Sequence, residues 1–322
     1  MCLNLLSEYR KELFGACILG VIAGHALPNM YIDQDTFLFY FIKLFSLIGV
    51  RGFVFLSGFG LYYSLKSGGG KQWIFYKKRM TRVYIPYFCI GVSYFFWKYI
   101  IVQTDIAKFF SFIFPVSFWI YGNIEGMWYI DIILAFYLIF PFLYKCIDSK
   151  KSKSITILFI VLAVWMNVFL YYYDRVYYEL IAIGISKVPL LVFGIYVGKC
   201  SYEKMKIKWK NLLLVSIMWF SAYIFVPKEF MWYTWLCDIR SVLGCLYLVI
   251  ILDLIKKKYI NDILSFFGVI TLELYLLHLF IGDVLSTYHV WENNMLRYCI
   301  TIVLSVIIAC FFSGIYRKKL RK

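Results

Sequence analysis

No part of this sequence reads as a soluble domain, and charge is scarce along most of it. Asp, Glu, Lys and Arg make up only 16% of the 322 residues, while 63% are hydrophobic and mean hydropathy is +0.76. A soluble domain is near 45–50% apolar, so the chain falls outside that class and reads as a polytopic membrane protein. CxxC motifs and Cys/His clusters are missing. The nine cysteines are scattered, mostly within apolar runs, and read as small apolar side chains, with neither a disulfide framework nor a metal site. There are no internal repeats. No cleavable signal is expected, because Glu8, Arg10, Lys11 and Glu12 leave no apolar core before residue 13. Acidic residues are few: 18 against 34 Lys and Arg, a formal net charge of +16. Such an excess can signal nucleic acid. Here the basic residues sit in short clusters between apolar runs, where orientation signals belong, so no nucleic-acid partner is expected.

About ten runs are long enough to span a bilayer: 13–31, 41–65, 83–102, 124–145, 154–173, 180–199, 211–227, 231–254, 263–285 and 295–316. Residues 103–123 leave room for an extra short or re-entrant piece. The basic clusters fall in every second loop, around Arg10, Lys66–Arg82, Lys145–Lys153, Lys199–Lys210, Lys256–Lys258 and the tail from Arg317. The other loops carry Asp33, Asp35, Asp105, Asp174, Glu179, Glu229 and Glu292 among few cations. The positive-inside rule therefore puts both termini in the cytoplasm. The expectation is an all-α polytopic integral membrane helix bundle, with residues 1–322 as one transmembrane domain and no separate soluble domain.

Within the first span, RKELFGACILGVIAGH at 10–25 joins a basic pair to a titratable ring. Lys11 and His25 are fourteen residues apart. On a helix they fall within ~40° of one face and ~21 Å apart along the axis, so both are expected to look down one groove. Other polar groups at membrane depth are Arg51, Asp131, Lys187, Asp238, Arg240, Glu273, His278 and Asp283. A charge near the bilayer centre costs roughly 2.5–3.5 kcal/mol on insertion scales. Singly, each reads as a pairing group between helices; as a set, with His25, they mark an interior polar cavity. His25 itself reads either as a base or as a ring bonded to a neighbouring carbonyl. At Lys77–Arg82, where the third run begins, Arg79 and Arg82 share a helix face. That pair reads as an orientation signal against anionic lipid or as a phosphate clamp, since guanidinium forks bind phosphate oxygens bidentately. Gly68–Gly70 lacks the spacing of a nucleotide loop and reads as linker.

Six stretches, taken in order, resemble the polysaccharide O-acetyltransferase-like, family-three membrane acyltransferases. They are GACILGVIAGH ending at His25, GVRGFVFLSGFGLYYSL at 49–65, FYKKRMTRVYIPYF at 75–88, MWYIDIILAFYLIFPFLYK at 127–145, VPLLVFGIYVGK at 188–199 and LSFFGVITLELYLLHLFI at 264–281. The resemblance implies a ten-helix bundle in a bacterial cytoplasmic (inner) membrane. It implies transfer of an acyl group, usually acetyl, from acyl-CoA (acetyl-CoA) as donor substrate to a hydroxyl of a cell-envelope polysaccharide, glycan or glycolipid. His25 is then the catalytic histidine, and Arg79 and Arg82 hold the coenzyme's phosphates. The chain departs from the pattern twice. The family's usual basic residue eleven positions before the histidine is Phe14 here, with Lys11 one turn further out on nearly the same face. The glutamate that some members carry just before the FYL segment is replaced at Ile133 and Leu134, with Asp131 near by.

In that mechanism the neutral imidazole takes the acceptor proton. Arg51 or Arg240 answers the developing oxyanion or a coenzyme phosphate, and Asp131, Glu273 and His278 are further substrate or supporting positions. Membrane lipids are the remaining partner, and no permanently bound cofactor is expected. Two other readings share the polytopic fold: a lipid-linked glycan transporter or flippase, and a non-catalytic relative. A glycan polymerase with large external loops fits poorly, because every loop is short.

Overall fold

The computed structural model describes residues 3–29, 32–46, 48–114, 116–122, 127–226 and 231–320; Glu229, Arg321 and Lys322 of the charge pattern lie outside the described residues. Regular structure among these residues is helical, with no β-strand. The principal helices are α1 (Arg10–Asn29), α2 (Phe37–Ser46), α3 (Gly49–Ser67), α4 (Gln72–Val102), α5 (Trp128–Ile147), α6 (Ser152–Tyr173) and α7 (Arg175–Ile185). They continue with α8 (Val188–Tyr202), α9 (Trp209–Phe225), α10 (Met231–Ile255), α11 (Lys258–Val269), α12 (Thr271–Thr287) and α13 (Asn294–Leu320). Two short helices, Ile106–Ile113 and Ser117–Tyr121, fill the stretch after α4, the first capped by the Asp105 carboxylate on the Lys108 amide at 2.9 Å.

The chain is an all-α polytopic bundle. Among the described residues, seven helical segments are long and apolar enough to cross a membrane, α7 and α8 together forming one of them. The count becomes eight if α11 and α12, bent by 68° about Ile270, form one broken span. The ten runs read from the sequence differ from this at two places. The run 41–65 is broken into α2 and α3, and α9 has only 17 residues. The break follows from a close crossing. A Cβ on Gly20 would lie 2.9 Å from the Phe45 carbonyl oxygen and 3.0 Å from the Gly49 nitrogen, and Gly49 itself takes φ +23°. The third run also begins earlier than expected. α4 starts at Gln72, so Lys77–Arg82 lie within the helix, as the shared face of Arg79 and Arg82 requires. Beyond Pro86, which has no N–H to donate, its turns widen to π-helical at Tyr87–Gly91 and Phe96–Val102.

Hydropathy tracks position in the bundle. α6 and α13, with mean hydropathies of 2.2 and 2.3, are only 11% and 17% buried and present apolar side chains outward, as lipid contact requires. α1, at 1.2, is 44% buried. α3 is walled in by other helices along most of its length and carries Gly52, Ser57, Gly58 and Gly60 there. Small residues let backbones approach where lipid supplies no hydrophobic drive between helices. A Cβ on Gly58 would overlap the Leu191 carbonyl oxygen of α8, and one on Gly194 would overlap that of Phe55. The same reciprocal arrangement joins α1 to α11. A Cβ on Gly15 would overlap the Leu264 carbonyl oxygen, and one on Gly268 that of Lys11.

Candidate active site

Two helices, α1 and α12, carry the polar residues of interest: Lys11 and Glu273 near their first turns, His25 towards the end of α1 and His278 midway along α12. Three cavities open along them.

At the basic end is a cavity of about 450 Å³. Arg10 and Lys11 enter it from α1, Lys78, Arg79 and Arg82 from α4, and Glu273 from α12. Among the described lining residues that is five cations against one carboxylate. Their placement follows from helical spacing. Arg10, Lys11 and Phe14 occupy adjoining positions on the first turns of α1, and Arg79 and Arg82 stack three apart on α4. Gly60 of α3 gives the guanidinium groups room. The Arg79 Nη2 donates to the Gly60 carbonyl at 3.3 Å, and a Cβ there would come within 3.2 Å of the Arg10 Nη1. The 68° bend sets the first turn of α12, with Thr271, Leu272 and Glu273, against the same cavity, so the positive end of that helix adds to the field. Together these groups suit a polyanion.

At the other end a cavity of about 680 Å³ holds His25, Arg51, Lys187, Trp128 and Tyr178. His25 is exposed there. A third pocket of about 160 Å³ lies on the far side of the same ring, with His278, Asp283 and Arg297. Asp283 accepts from the Tyr94 hydroxyl at 2.6 Å and from the Lys98 ammonium at 3.2 Å.

The single groove expected from the Lys11/His25 spacing is therefore divided. A file of rings closes it: Phe14 on Phe53 at 5.7 Å, Phe53 on Tyr129 at 6.0 Å, and Tyr129 on Tyr275 at 5.7 Å. Tyr275 then meets His278 at 5.8 Å, and His278 meets His25 edge-on at 5.2 Å. Val50 and Tyr275 line both large cavities and form the partition between them. Phe14 belongs to this partition, on the basic side.

His278 is buried, and its Nδ1 lies 3.0 Å from the Leu274 carbonyl oxygen. That oxygen only accepts, so Nδ1 carries a proton, while Nε2 has no partner among the described residues.

The remaining candidates fall as follows. Arg79, Arg82 and Lys11 share the basic cavity with Glu273, whereas Arg51 shares the His25 cavity. Asp131 uses its Oδ2 to accept from the Phe118 amide at 2.7 Å and the Ser117 hydroxyl at 3.2 Å, holding the helix Ser117–Tyr121 against α5. It lines none of the three cavities just described. Arg240 lies over the Tyr223 ring at 5.7 Å and is likewise outside them. Arg10, Lys78 and Tyr275 join the site residues expected from the sequence, where Arg10 was read as one of the basic pair that opens α1 and Lys78 as part of the Lys77–Arg82 segment.

Residues 15–314 match the model of a family described as an acyltransferase domain. No curated protein and no solved structure matches the chain.

Proposed function

Because the chain belongs to acyltransferase family 3, a family of membrane acyltransferases, we propose that it carries an acyl group, acetyl in the simplest case, across the Tyr275 partition. The donor is acyl-CoA, held by its phosphates in the basic cavity on the cytoplasmic side of a bacterial inner membrane. The acceptor is a hydroxyl of a cell-surface glycan or glycolipid in the His25 cavity. The observation that carries this reading is the arrangement of the two cavities along α1 and α12. One is strongly cationic, the other holds an exposed imidazole, and only a thin wall of side chains divides them.

The chemistry follows from the groups at each end. Arg10, Arg79 and Arg82 offer guanidinium forks suited to phosphate oxygens. The flexible thioester arm of the donor passes Val50 and Tyr275, which must rotate aside. His25 removes the proton of the acceptor hydroxyl as its oxygen attacks the thioester carbonyl. The tetrahedral adduct collapses by breaking the carbon–sulfur bond. The departing thiolate takes up the proton from the imidazolium, leaving an ester and the free thiol of coenzyme A.

The test is transfer of labelled acetyl from acetyl-CoA in membranes containing the protein, read together with mass spectrometry of surface glycans. Cells lacking the gene should lose the mass of one acetyl addition on one glycan class. If glycan acylation is unchanged and labelled acetyl stays on the coenzyme, the reading fails. Arg79→Gln and Arg82→Gln each remove a charge-assisted contact and should raise the donor KM roughly 10- to 100-fold, with kcat changed little. Unaltered donor KM in both variants would move the donor site elsewhere.

A further inference from the structure

The His25 cavity contains a charge imbalance that base catalysis does not use. Asp238 Oδ1, on α10, accepts from the Arg51 Nε of α3 and from the Lys187 Nζ beside the start of α8, both at 2.9 Å. The Lys187 side chain is 4% exposed and that of Asp238 7%, so both are sealed, while Arg51 is 34% exposed. Arg51, a permanent cation, and Lys187 thus share one carboxylate oxygen, and no other side chain lining that cavity among the described residues carries a formal charge. With Lys187 protonated, one positive charge is unmatched at membrane depth, an arrangement that is expensive unless something answers it. Only the Nε of Arg51 is engaged. Its Nη1 and Nη2 have no partner among the described residues. The cavity also holds the Ser186 hydroxyl, buried and without a partner among the described residues, and the rings of Trp128 and Tyr178.

We propose that Arg51, held by Asp238 and backed by Lys187, is the acceptor-recognition group, and that the acceptor carries an oxyanion, a carboxylate or a phosphate, on or beside the sugar that is acylated. The inference rests on the acyl-transfer reading for the word acceptor, but the anion site stands on its own geometry. A guanidinium whose Nε is fixed presents its two terminal nitrogens end-on, a fork that fits both oxygens of a carboxylate or two of a phosphate. An anion there restores neutrality to the cluster. Aromatic faces next to it suit the apolar face of a sugar ring, and about 680 Å³ is within the range of pockets that enclose ligands of this size. Charge therefore selects the acceptor, while His25, in the same cavity, acts on its hydroxyl.

The experiment uses the full chain in phosphatidylcholine nanodiscs, with three disaccharides on one scaffold: cellobiose, cellobiuronic acid and cellobiose 1-phosphate. Binding is measured at constant ionic strength. The expected result is that at least one anionic disaccharide binds about tenfold or more tightly than cellobiose, and which of the two does so distinguishes carboxylate from phosphate. Arg51→Gln leaves a matched Lys187–Asp238 pair and should erase the preference. Asp238→Asn adds a second unmatched charge and should increase it, and Arg82→Gln in the other cavity should leave it unaltered. Equal binding of all three sugars, binding of none, or a preference that survives Arg51→Gln overturns the proposal. So does inorganic phosphate binding as well as the anionic sugars. The wild-type comparison alone decides the matter if a variant fails to fold. Protein that transfers acetyl without an anionic preference overturns this inference only. Protein that shows the preference but transfers nothing keeps the site and overturns the acyl-transfer reading.

Discussion

His25→Ala abolishes acyl transfer while leaving the amount of membrane-inserted protein near wild type. A positioned general base contributes about 10²–10⁴-fold, and no other described side chain of the 680 Å³ cavity is a neutral base able to replace it. The ring is exposed to the cavity rather than wedged in the core, so its removal leaves space that is already open. The loss should appear in kcat, with donor KM close to wild type, because the phosphate-binding cations lie beyond the Tyr275 partition. That split separates His25 from Arg79 and Arg82, whose variants should move KM. It also separates the enzyme from a transporter of the same architecture, in which His25→Ala leaves substrate movement independent of acyl-CoA. Full acyl transfer by His25→Ala would remove the base and the mechanism with it.

What the sequence discloses and what it hides divide along one physical line. Properties carried by a single helix are legible. The helical spacing of Arg79 and Arg82 set them on one face, and they do enter one cavity together. Charges at membrane depth stood out against apolar runs, which is how Arg51, Lys187 and Asp238 came to notice. Their convergence on one carboxylate oxygen was not legible, because α3, α8 and α10 are brought together by glycine crossings far apart in the chain. The Lys11/His25 groove illustrates the same limit. Spacing placed both residues correctly on α1, but the rings that divide the groove come from α3, α5 and α12 as well. Asp131 shows the reverse case. Its place near the FYL segment suggested a substrate or supporting position, while its carboxylate is occupied at the Phe118 amide, a backbone group that has no side-chain signature. The run 41–65 was legible as apolar, but its division into α2 and α3 was not, because the close approach of Gly20 to Phe45 and Gly49 joins residues far apart in the chain.

Gly268→Ala should be strongly destabilising, as should Gly15→Ala across the same crossing. The added Cβ would overlap the Lys11 carbonyl, a backbone oxygen of α1 that no rotamer change can move. The crossing is reciprocal through Gly15 against Leu264, so α1 and α11 must separate along the whole contact rather than bend at one point. Overpacking of side chains costs about 1–3 kcal/mol; backbone against backbone should reach at least the top of that range. Gly314→Ala is the internal control. Nothing among the described residues lies within 4 Å of its Cβ, and replacing a helical glycine there should be neutral or slightly stabilising. Thermal unfolding of the detergent-solubilised protein should therefore fall by several degrees for Gly268→Ala and not at all for Gly314→Ala. Because Lys11 and Gly268 both line the basic cavity, any Gly268→Ala protein that survives should also bind acyl-CoA more weakly, with Gly314→Ala unchanged. Equal melting temperatures for the two variants would mean that α1 and α11 do not cross at these glycines, and the wall of the donor cavity would have to be redrawn.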